Sequence, residues 1–374
     1  MSKGITITVG ADVHKERITI CCLRGDSQVQ EVQEFANQEQ VIQKVFKKLA
    51  KQGELSVCYE AGPCGYTFRR QLETLGVRCE VIAPSLIPKR SGDKVKTDRR
   101  DACKLARLYR AGELTTIRVP TEPEEAARDL LRCREDLGED INRQRHRLLK
   151  FLLRHGRVWR ETKNWTQAHW AWLRQQVFEN TTLARVFDEY RAQLDSSLDR
   201  MRTLDREIAA LAEQQPWKDQ VDRLKCLRGI ATLTAMILLT EIHDFRRFGS
   251  PRELMSFIGM TPGAHLSGGK GHMLSITKTG NAHVRRVLVE AAWSYARKPQ
   301  WPSLMSKRCA GQPGQVLGVV KTAQTRLNQR CRHLRGQGKP ANVAVVAVGR
   351  ELLGFIWELM VKLEEPLGSQ RRQA

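Results

Sequence analysis

The stretch ITITVGADVHKERITICCLR, residues 5–24, decides the fold class of this chain. It contains two short runs that are rich in β-branched side chains, and such side chains favour extended strands. A third run with alternating polar and apolar residues follows it, and two further apolar runs come later. We therefore predict five strands, at residues 5–12, 17–24, 28–35, 54–60 and 77–84.

Helical spacing of apolar residues appears between and after the later strands. This spacing predicts helices at residues 39–53, 66–76 and 98–112. Three strands followed by alternating helices and strands is the order of a ribonuclease-H-like fold. We therefore predict an α/β domain of that kind over residues 1–120.

The chain is strongly basic along its whole length. Among its 374 residues, 63 Lys and Arg stand against 41 Asp and Glu, which gives a net charge of +22. A protein that neutralises phosphates with such side chains releases counterions, and this release drives binding. We therefore expect a nucleic acid partner, although a merely basic, soluble protein would have the same composition.

The cysteine and histidine pattern argues against a structural metal site. None of the ten cysteines forms a CxxC pair and the nine histidines are scattered, so we expect no zinc. Free thiols are typical of a reducing cytoplasm. We see no secretory signal and no apolar run near the roughly 20 residues of a membrane helix. We therefore expect a cytoplasmic protein without a membrane partner.

Residues 121–220 lack strand signals and are dense in charge. One part is sharply periodic, with apolar side chains at Phe187, Tyr190, Leu194, Met201, Leu204, Ile208 and Leu211. This seam predicts a coiled-coil connector, which we expect to mediate self-association into a dimer or tetramer. An earlier helix, expected to pack against the seam, has apolar residues at Leu137, Ile141, Leu148 and Leu152.

Four tryptophans lie between these two helices, at Trp159, Trp165, Trp170 and Trp172. They could pack together at the tip of a helical hairpin, or they could stack on nucleic acid bases. We favour packing.

Residues 221–374 are predicted to form a mostly helical domain. Two helices around Gly229 resemble a helix-hairpin-helix, a motif whose turn amides often face a phosphate. The glycine-rich stretch AHLSGGKGHML, residues 264–274, is predicted to be a loop.

Four acidic residues are placed to converge. Asp12 and Glu60 end two strands, whereas Asp98 and Asp101 lie three residues apart at the start of a helix and face one side. Each acid could be structural, since Asp98 could cap its own helix. Their joint placement beside apolar strands instead favours a metal site, because Mg²⁺ prefers oxygen ligands and buried acids need a cation. Two ions about 4 Å apart can act on one phosphodiester.

The motifs around these acids, GADVHK, YEAGPCGY and KTDRRDACKLARL, resemble those of the DEDD insertion-sequence transposases. These proteins are relatives of the Piv DNA invertase and include bridge-RNA-guided recombinases. The resemblance implies a RuvC-like N-terminal domain in which Asp12, Glu60, Asp98 and Asp101 hold Mg²⁺, with two ions expected and Mn²⁺ as an alternative. It also implies target and donor DNA and a structured noncoding guide RNA as partners.

Residues 227–288 are similar to the transposase domain of the same family, as is the stretch 338–357. The resemblance implies that Ser267, directly before two glycines, is the nucleophile. A serine hydroxyl is a weak nucleophile that needs activation. The basic residues expected to contact nucleic acid there are Lys270, Lys278, Arg285 and Arg286.

The sequence thus predicts a bacterial, nucleoid-associated recombinase that cuts and rejoins DNA through a phosphoserine link. Two alternatives remain open. One is a metal-dependent, junction-resolving nuclease in which water attacks and Ser267 is structural. The other is a non-catalytic RNA-binding scaffold, which would have no reason to assemble four acids.

Overall fold

The computed structural model describes residues 5–88, 97–267, 270–298 and 303–361. The chain divides into two compact units, Met1–Pro120 and Thr121–Ala374. Within the described ranges, no helix has the length and apolar character that crossing a membrane requires.

The first unit is built on one mixed sheet of five strands. Its strands are β1 (Thr6–Val13), β2 (Arg17–Arg24), β3 (Glu31–Ala36), β4 (Glu54–Glu60) and β5 (Arg78–Ile82). Their order across the sheet is β3-β2-β1-β4-β5. The first three strands are antiparallel, whereas β4 runs parallel to both β1 and β5. The mixed α/β fold predicted for this part is confirmed, and the arrangement is consistent with a ribonuclease-H-like domain.

Helices cover both faces of this sheet. Two of them, α1 (Glu39–Ala50) and α2 (Thr67–Glu73), bury apolar side chains such as Phe46 and Leu72 against one face. The third, α3 (Asp98–Arg110), covers the other face. It comes so close that a Cβ on Gly10 would lie 2.3 Å from the carbonyl oxygen of Ala102. Glycine at this position therefore allows α3 to pack directly on β1.

The second unit begins with a helical hairpin. Its helices are α4 (Glu122–Arg154), the short α5 (Gln167–Arg174) and α6 (Thr181–Ala212). Helices α4 and α6 are antiparallel, because Arg134 pairs with Asp205 at 2.8 Å whereas Gln144 hydrogen-bonds Ser197 at 3.0 Å.

The predicted apolar seam of α6 is packed within the chain. Leu194 is fully buried in a cluster that includes Leu148 and Phe151 of α4. The seam needed a partner, as its periodicity predicts, and α4 of the same chain supplies one. Self-association through the remaining surface of α6 stays a prediction.

The tryptophans lie at the tip of the hairpin and contact one another and His169. Trp159 lies 5.8 Å from Trp172 between ring centroids, and Trp165 lies 5.4 Å from Trp170. His169 is fully buried among them. This arrangement agrees with aromatic packing, the interpretation favoured from the sequence.

The remaining elements are α7 (Trp217–Lys225), α8 (Thr232–Ile242), α9 (Pro251–Phe257), β6 (Pro262–Ser267), β7 (Lys270–Ile276), α10 (Ala282–Ala292), α11 (Ser303–Arg308), α12 (Gly314–Gly336) and α13 (Ala341–Val361). Helices α7, α8, α9, α10, α12 and α13 share one large apolar core with the start of α4 and the end of α6. Gly229, between α7 and α8, has a φ of +85°, and a Cβ there would lie 2.3 Å from the Ala291 carbonyl oxygen. The turn therefore packs closely on α10.

The glycine-rich stretch predicted as a loop is a β-hairpin. Strands β6 and β7 are antiparallel, with Leu266 opposite Gly271 and Ser267 opposite Lys270. The prediction was wrong because the sequence between Pro262 and Ile276 has few β-branched residues, so its strand character comes from pairing and not from propensity.

Candidate metal site and serine hairpin

Asp12 and Glu60 lie at the same level, near the ends of the neighbouring parallel strands β1 and β4. The last residues that these two strands pair with each other are Ala11 and Tyr59, and the two acids follow them directly. Strand side chains alternate between the faces of a sheet. Because Gly10 and Cys58 face α3, the acids two residues further on lie on the α3 side as well.

The start of α3 brings the other two acids to this edge. The N-cap is Thr97, whose Oγ1 accepts a hydrogen bond from the Arg100 amide at 3.3 Å. Asp98 is therefore free of the capping role considered from the sequence. Asp98 and Asp101 both lie in the first turn of α3.

Three side chains converge closely at this edge. Nε2 of His14 lies 3.3 Å from Oδ1 of Asp12 and 3.7 Å from Oδ1 of Asp98. Among the described residues, one ligand atom from each of these three lies within 4.8 Å of the others. Glu60 and Asp101 lie outside this close group.

His14 was not predicted from the sequence to lie with these acids. It stands two positions after Asp12, at the turn between β1 and β2, and its amide donates to the Arg17 carbonyl oxygen. The period of two in a strand was the available signal, since residues 12 and 14 of an extended segment share a face.

The electrostatics of Asp12 suit a bound cation. Burial raises the pKa of its carboxyl group, His14 lowers it, and the neighbouring Asp98 and Asp101 raise it, so that the pKa lies above its usual value. A half-buried carboxylate beside two other acids is costly to ionise without a positive charge. The donor set of carboxylate oxygens and one imidazole nitrogen therefore fits a divalent metal ion.

The second unit carries Ser267 at the end of β6. The backbone register places it opposite Lys270, across the two glycines at positions 268 and 269, which lie outside the described residues. The side chains of Ser267 and Lys270 also lie outside the described part.

The base of the serine hairpin is held by very close backbone packing. Gly259 and Gly280 both have a φ of +71°. A Cβ on Gly259 would lie 2.0 Å from the Thr279 carbonyl oxygen, and one on Gly280 would lie 1.9 Å from that of Phe257. Only glycine fits at these two positions, so the two ends of the hairpin are fixed against each other.

Arg285 also binds this base. Its Nη1 donates to the carbonyl oxygens of Ile258, Thr279 and Gly280 at 2.9, 2.6 and 3.1 Å. Burial lowers the pKa of Arg285. This guanidinium, predicted to contact nucleic acid, thus has backbone partners within the protein.

The other predicted basic contacts differ in their surroundings. Arg286 forms ion pairs with Glu135 and, at 3.1 Å, with Glu290. Lys278 has a φ of +58°, and its side chain is exposed. Within the described residues, Lys278 therefore offers the more accessible charge.

A mixed α/β sheet with acidic residues at one edge is consistent with a transposase of the DEDD type, and sequence comparison shows that this is the class of the chain. Residues 9–156 match the DEDD transposase family of IS110 type, and residues 221–306 match the family described as Transposase IS116/IS110/IS902. The chain is similar to the Leptospira borgpetersenii transposase for insertion sequence element IS1533, with 36% identity covering 89% of this chain and 98% of that protein. It is also similar to y4qE of Sinorhizobium fredii, a protein named as a transposase, with 37% identity covering 94% and 87% of the two chains. The chain belongs to the IS110 family of DEDD transposases.

Proposed function

We propose that this transposase cuts and rejoins DNA strands at an insertion sequence through a covalent link to Ser267. The single observation that carries the metal-assisted strand chemistry is the convergence of Asp12 and Asp98 around His14 at one sheet edge. The role of Ser267 rests on the resemblance of its stretch of sequence to the family. The match of residues 221–306 to a transposase family, in the region that contains Ser267, supports it further.

In the proposed reaction, Oγ of Ser267 attacks the phosphorus of the scissile phosphodiester. The serine proton leaves to a base, the new O–P bond forms, and the bond from phosphorus to the departing strand oxygen breaks, with that oxygen taking up a proton. A hydroxyl group of the new strand then displaces the serine by the reverse steps. No phosphodiester bond is lost, because the phosphoserine link conserves its energy.

The metal ligands we propose are the carboxylates of Asp12, Glu60, Asp98 and Asp101. We expect them to hold two Mg²⁺ ions, with Mn²⁺ as an alternative. When bound, metal would polarise the scissile phosphate and favour the attacking oxygen. The four carboxylates belong to three elements, namely β1, β4 and α3. His14 adds a nitrogen donor beside Asp12 and Asp98.

The partners we propose are target DNA, donor DNA and a structured guide RNA, in a nucleoid-associated protein that forms a dimer or tetramer. The net charge of +22 supports binding to polyanions. We also propose that residues 121–220 and 221–374 act as a connector and a serine-bearing domain.

A covalent adduct tests the proposal. Labelled DNA carrying the insertion-sequence ends is incubated with wild-type protein, Ser267→Ala and Asp12→Asn, and the products are separated on denaturing gels. The wild type should give a protein–DNA adduct that both variants lose, whereas both should still bind DNA because phosphate contacts dominate affinity. Free cleaved ends from Ser267→Ala at the wild-type rate would contradict the serine mechanism and favour the junction-resolving nuclease.

A further inference from the structure

A cleft opens on the helical hairpin, between α4, α5 and α6. Its volume is about 540 Å³, within the usual range for ligand sites. It is lined by Arg145, Gln167, Trp170, Arg174, Asp195, Leu198 and Arg202. Three arginines and one aspartate are among these residues, so the lining carries excess positive charge.

Arg145 has donor capacity that the protein does not use. Its Nε is buried, and no described residue accepts a hydrogen bond from it. Its guanidinium carbon lies 5.1 Å from the centre of the Trp165 ring, so an aromatic face stabilises the charge. No ion pair joins Arg145 to an acid of the described residues. A buried donor without a partner is costly, so this guanidinium group is incompletely satisfied by the protein.

The other two arginines differ in how well they are neutralised. Arg174, in the last turn of α5, is exposed and makes no ion pair with the described residues. Arg202 pairs with Asp199 at 2.5 Å. The cleft lining therefore contains two arginines, Arg145 and Arg174, that form no ion pair with the described residues.

An indole ring lies beside these charges. Trp170 lines the cleft, and its ring centroid is 5.4 Å from that of Trp165. The Trp165 ring is the one that the Arg145 guanidinium group contacts. Planar guanidinium groups match phosphate oxygens in a forked geometry, and bases stack on aromatic rings in complexes with single strands. The cleft therefore combines groups suited to a phosphate with an aromatic ring suited to a base.

We propose that this cleft binds one nucleotide of a single-stranded nucleic acid, with its phosphate on Arg145 and Arg174 and its base against Trp170. The inference rests on the proposed function only in that the protein handles nucleic acid. RNA and DNA share the chemistry that the cleft recognises, so the experiment separates them.

The test measures binding of single-stranded RNA and DNA oligonucleotides of one sequence to the full chain over a range of salt concentrations. Arg174→Gln should weaken binding several-fold and reduce the slope of log affinity against log salt by about 0.7, the value for one lost phosphate contact on a single strand. Arg145→Gln should do the same. Arg185→Gln is the matched control, because Arg185 is an exposed arginine on α6 that pairs with Glu189 away from the cleft lining.

Ultraviolet crosslinking followed by mass spectrometry locates the contact. The peptide containing residues 167–174 should carry the label, and the oligonucleotide that labels it more strongly identifies the source as RNA or DNA. Equal binding by Arg174→Gln and Arg185→Gln, with no label on this peptide, would overturn the proposal. If the Arg174→Gln protein still carries out strand transfer, the proposed function remains supported even where the cleft proposal fails. The failure of one proposal is therefore distinguishable from the failure of the other.

Discussion

Asn281 donates a hydrogen bond from Nδ2 to Oε2 of Glu241 at 2.5 Å, which joins the start of α10 to the end of α8. Asn281 is also the N-cap of α10, since its Oδ1 accepts from the Val284 amide at 3.0 Å. Glu241 in turn accepts two hydrogen bonds from Arg132 of α4, at 2.8 and 2.9 Å. The residue directly after the base of the serine hairpin is therefore anchored to two other helices.

Replacing the buried carboxylate should loosen this anchor. The Glu241 side chain is only 5% exposed, and Glu241→Gln removes the charge that pairs with Arg132. Hydrogen bonds to charged groups contribute about 1.5–3 kcal/mol, so we expect a loss of that order in the free energy of unfolding. Denaturant unfolding measures it. Glu290→Gln is the control, because its pair with Arg286 is exposed and should contribute about 0–1 kcal/mol. Equal losses in the two variants would contradict the anchor.

The same carboxylate predicts a pH dependence. Burial acts to raise the pKa of Glu241, but the hydrogen bonds and charge of Arg132 and the contact with Asn281 outweigh it, so the folded pKa lies below the ordinary 4.5. A carboxyl group whose pKa is lower in the folded than in the unfolded protein stabilises the fold at pH values above its unfolded-state pKa. This stabilisation is lost as the pH falls through the folded-state pKa. The stability difference between wild type and Glu241→Gln should therefore shrink below about pH 4.5. Unfolding curves across an acid series check this, and a difference that grows with acidity would contradict the assignment.

Gly280 should tolerate no side chain. Gly280→Ala places a Cβ 1.9 Å from the Phe257 carbonyl oxygen at a φ of +71°, so the backbone must move in addition to the conformational strain. Gly311→Ala isolates the strain alone, because Gly311 has a φ of +76° and no atom within 4 Å of its added Cβ. The control should cost about 1–2 kcal/mol. Gly280→Ala should cost clearly more in denaturant unfolding and should reduce strand transfer, and equal costs would show that the hairpin base gives way easily.

The chain shows which of these features a sequence can predict. Strands β1 and β4 were predictable because their apolar runs are local, and Asp12 and Glu60 stand at their ends. The role of Arg285 was not predictable, because its partner Ile258 lies 27 residues away and is a backbone carbonyl, which no side-chain pattern encodes. The apolar periodicity around Leu194 predicts that this face of α6 packs against another helix. Periodicity alone does not say whether that helix belongs to the same chain.

The seam yields its own prediction. Leu194 is fully buried between α4 and α6, so Leu194→Ala should cost about 2–5 kcal/mol in the free energy of unfolding. Val186→Ala on the same helix is the control, since Val186 is 36% exposed. Light scattering should give the same mass for the wild type and both variants. The opposite result would be a Leu194→Ala protein with a lower mass in solution and an unchanged free energy of unfolding. It would show that the seam is an interface between chains.

The last prediction concerns the metal site through stability, without reference to turnover. Because burial and the neighbouring acids raise the pKa of Asp12 in the folded protein, ionising this carboxyl at neutral pH destabilises the metal-free fold. Asp12→Asn removes that cost, so the metal-free variant should unfold at a temperature equal to or higher than that of the wild type.

Added Mg²⁺ or Mn²⁺ should raise the unfolding temperature of the wild type, because an ion that binds only the folded state stabilises it by mass action. The same ions should leave Asp12→Asn nearly unchanged. Asp26→Asn, an exposed acid on the turn after β2, should respond to metal as the wild type does. His14→Ala should weaken the response by removing the nitrogen donor beside Asp12 and Asp98. Thermal unfolding at several metal concentrations measures all four proteins. An Asp12→Asn protein that gains as much from metal as the wild type would show that the ion binds elsewhere, and it would remove the acidic edge from the proposed reaction.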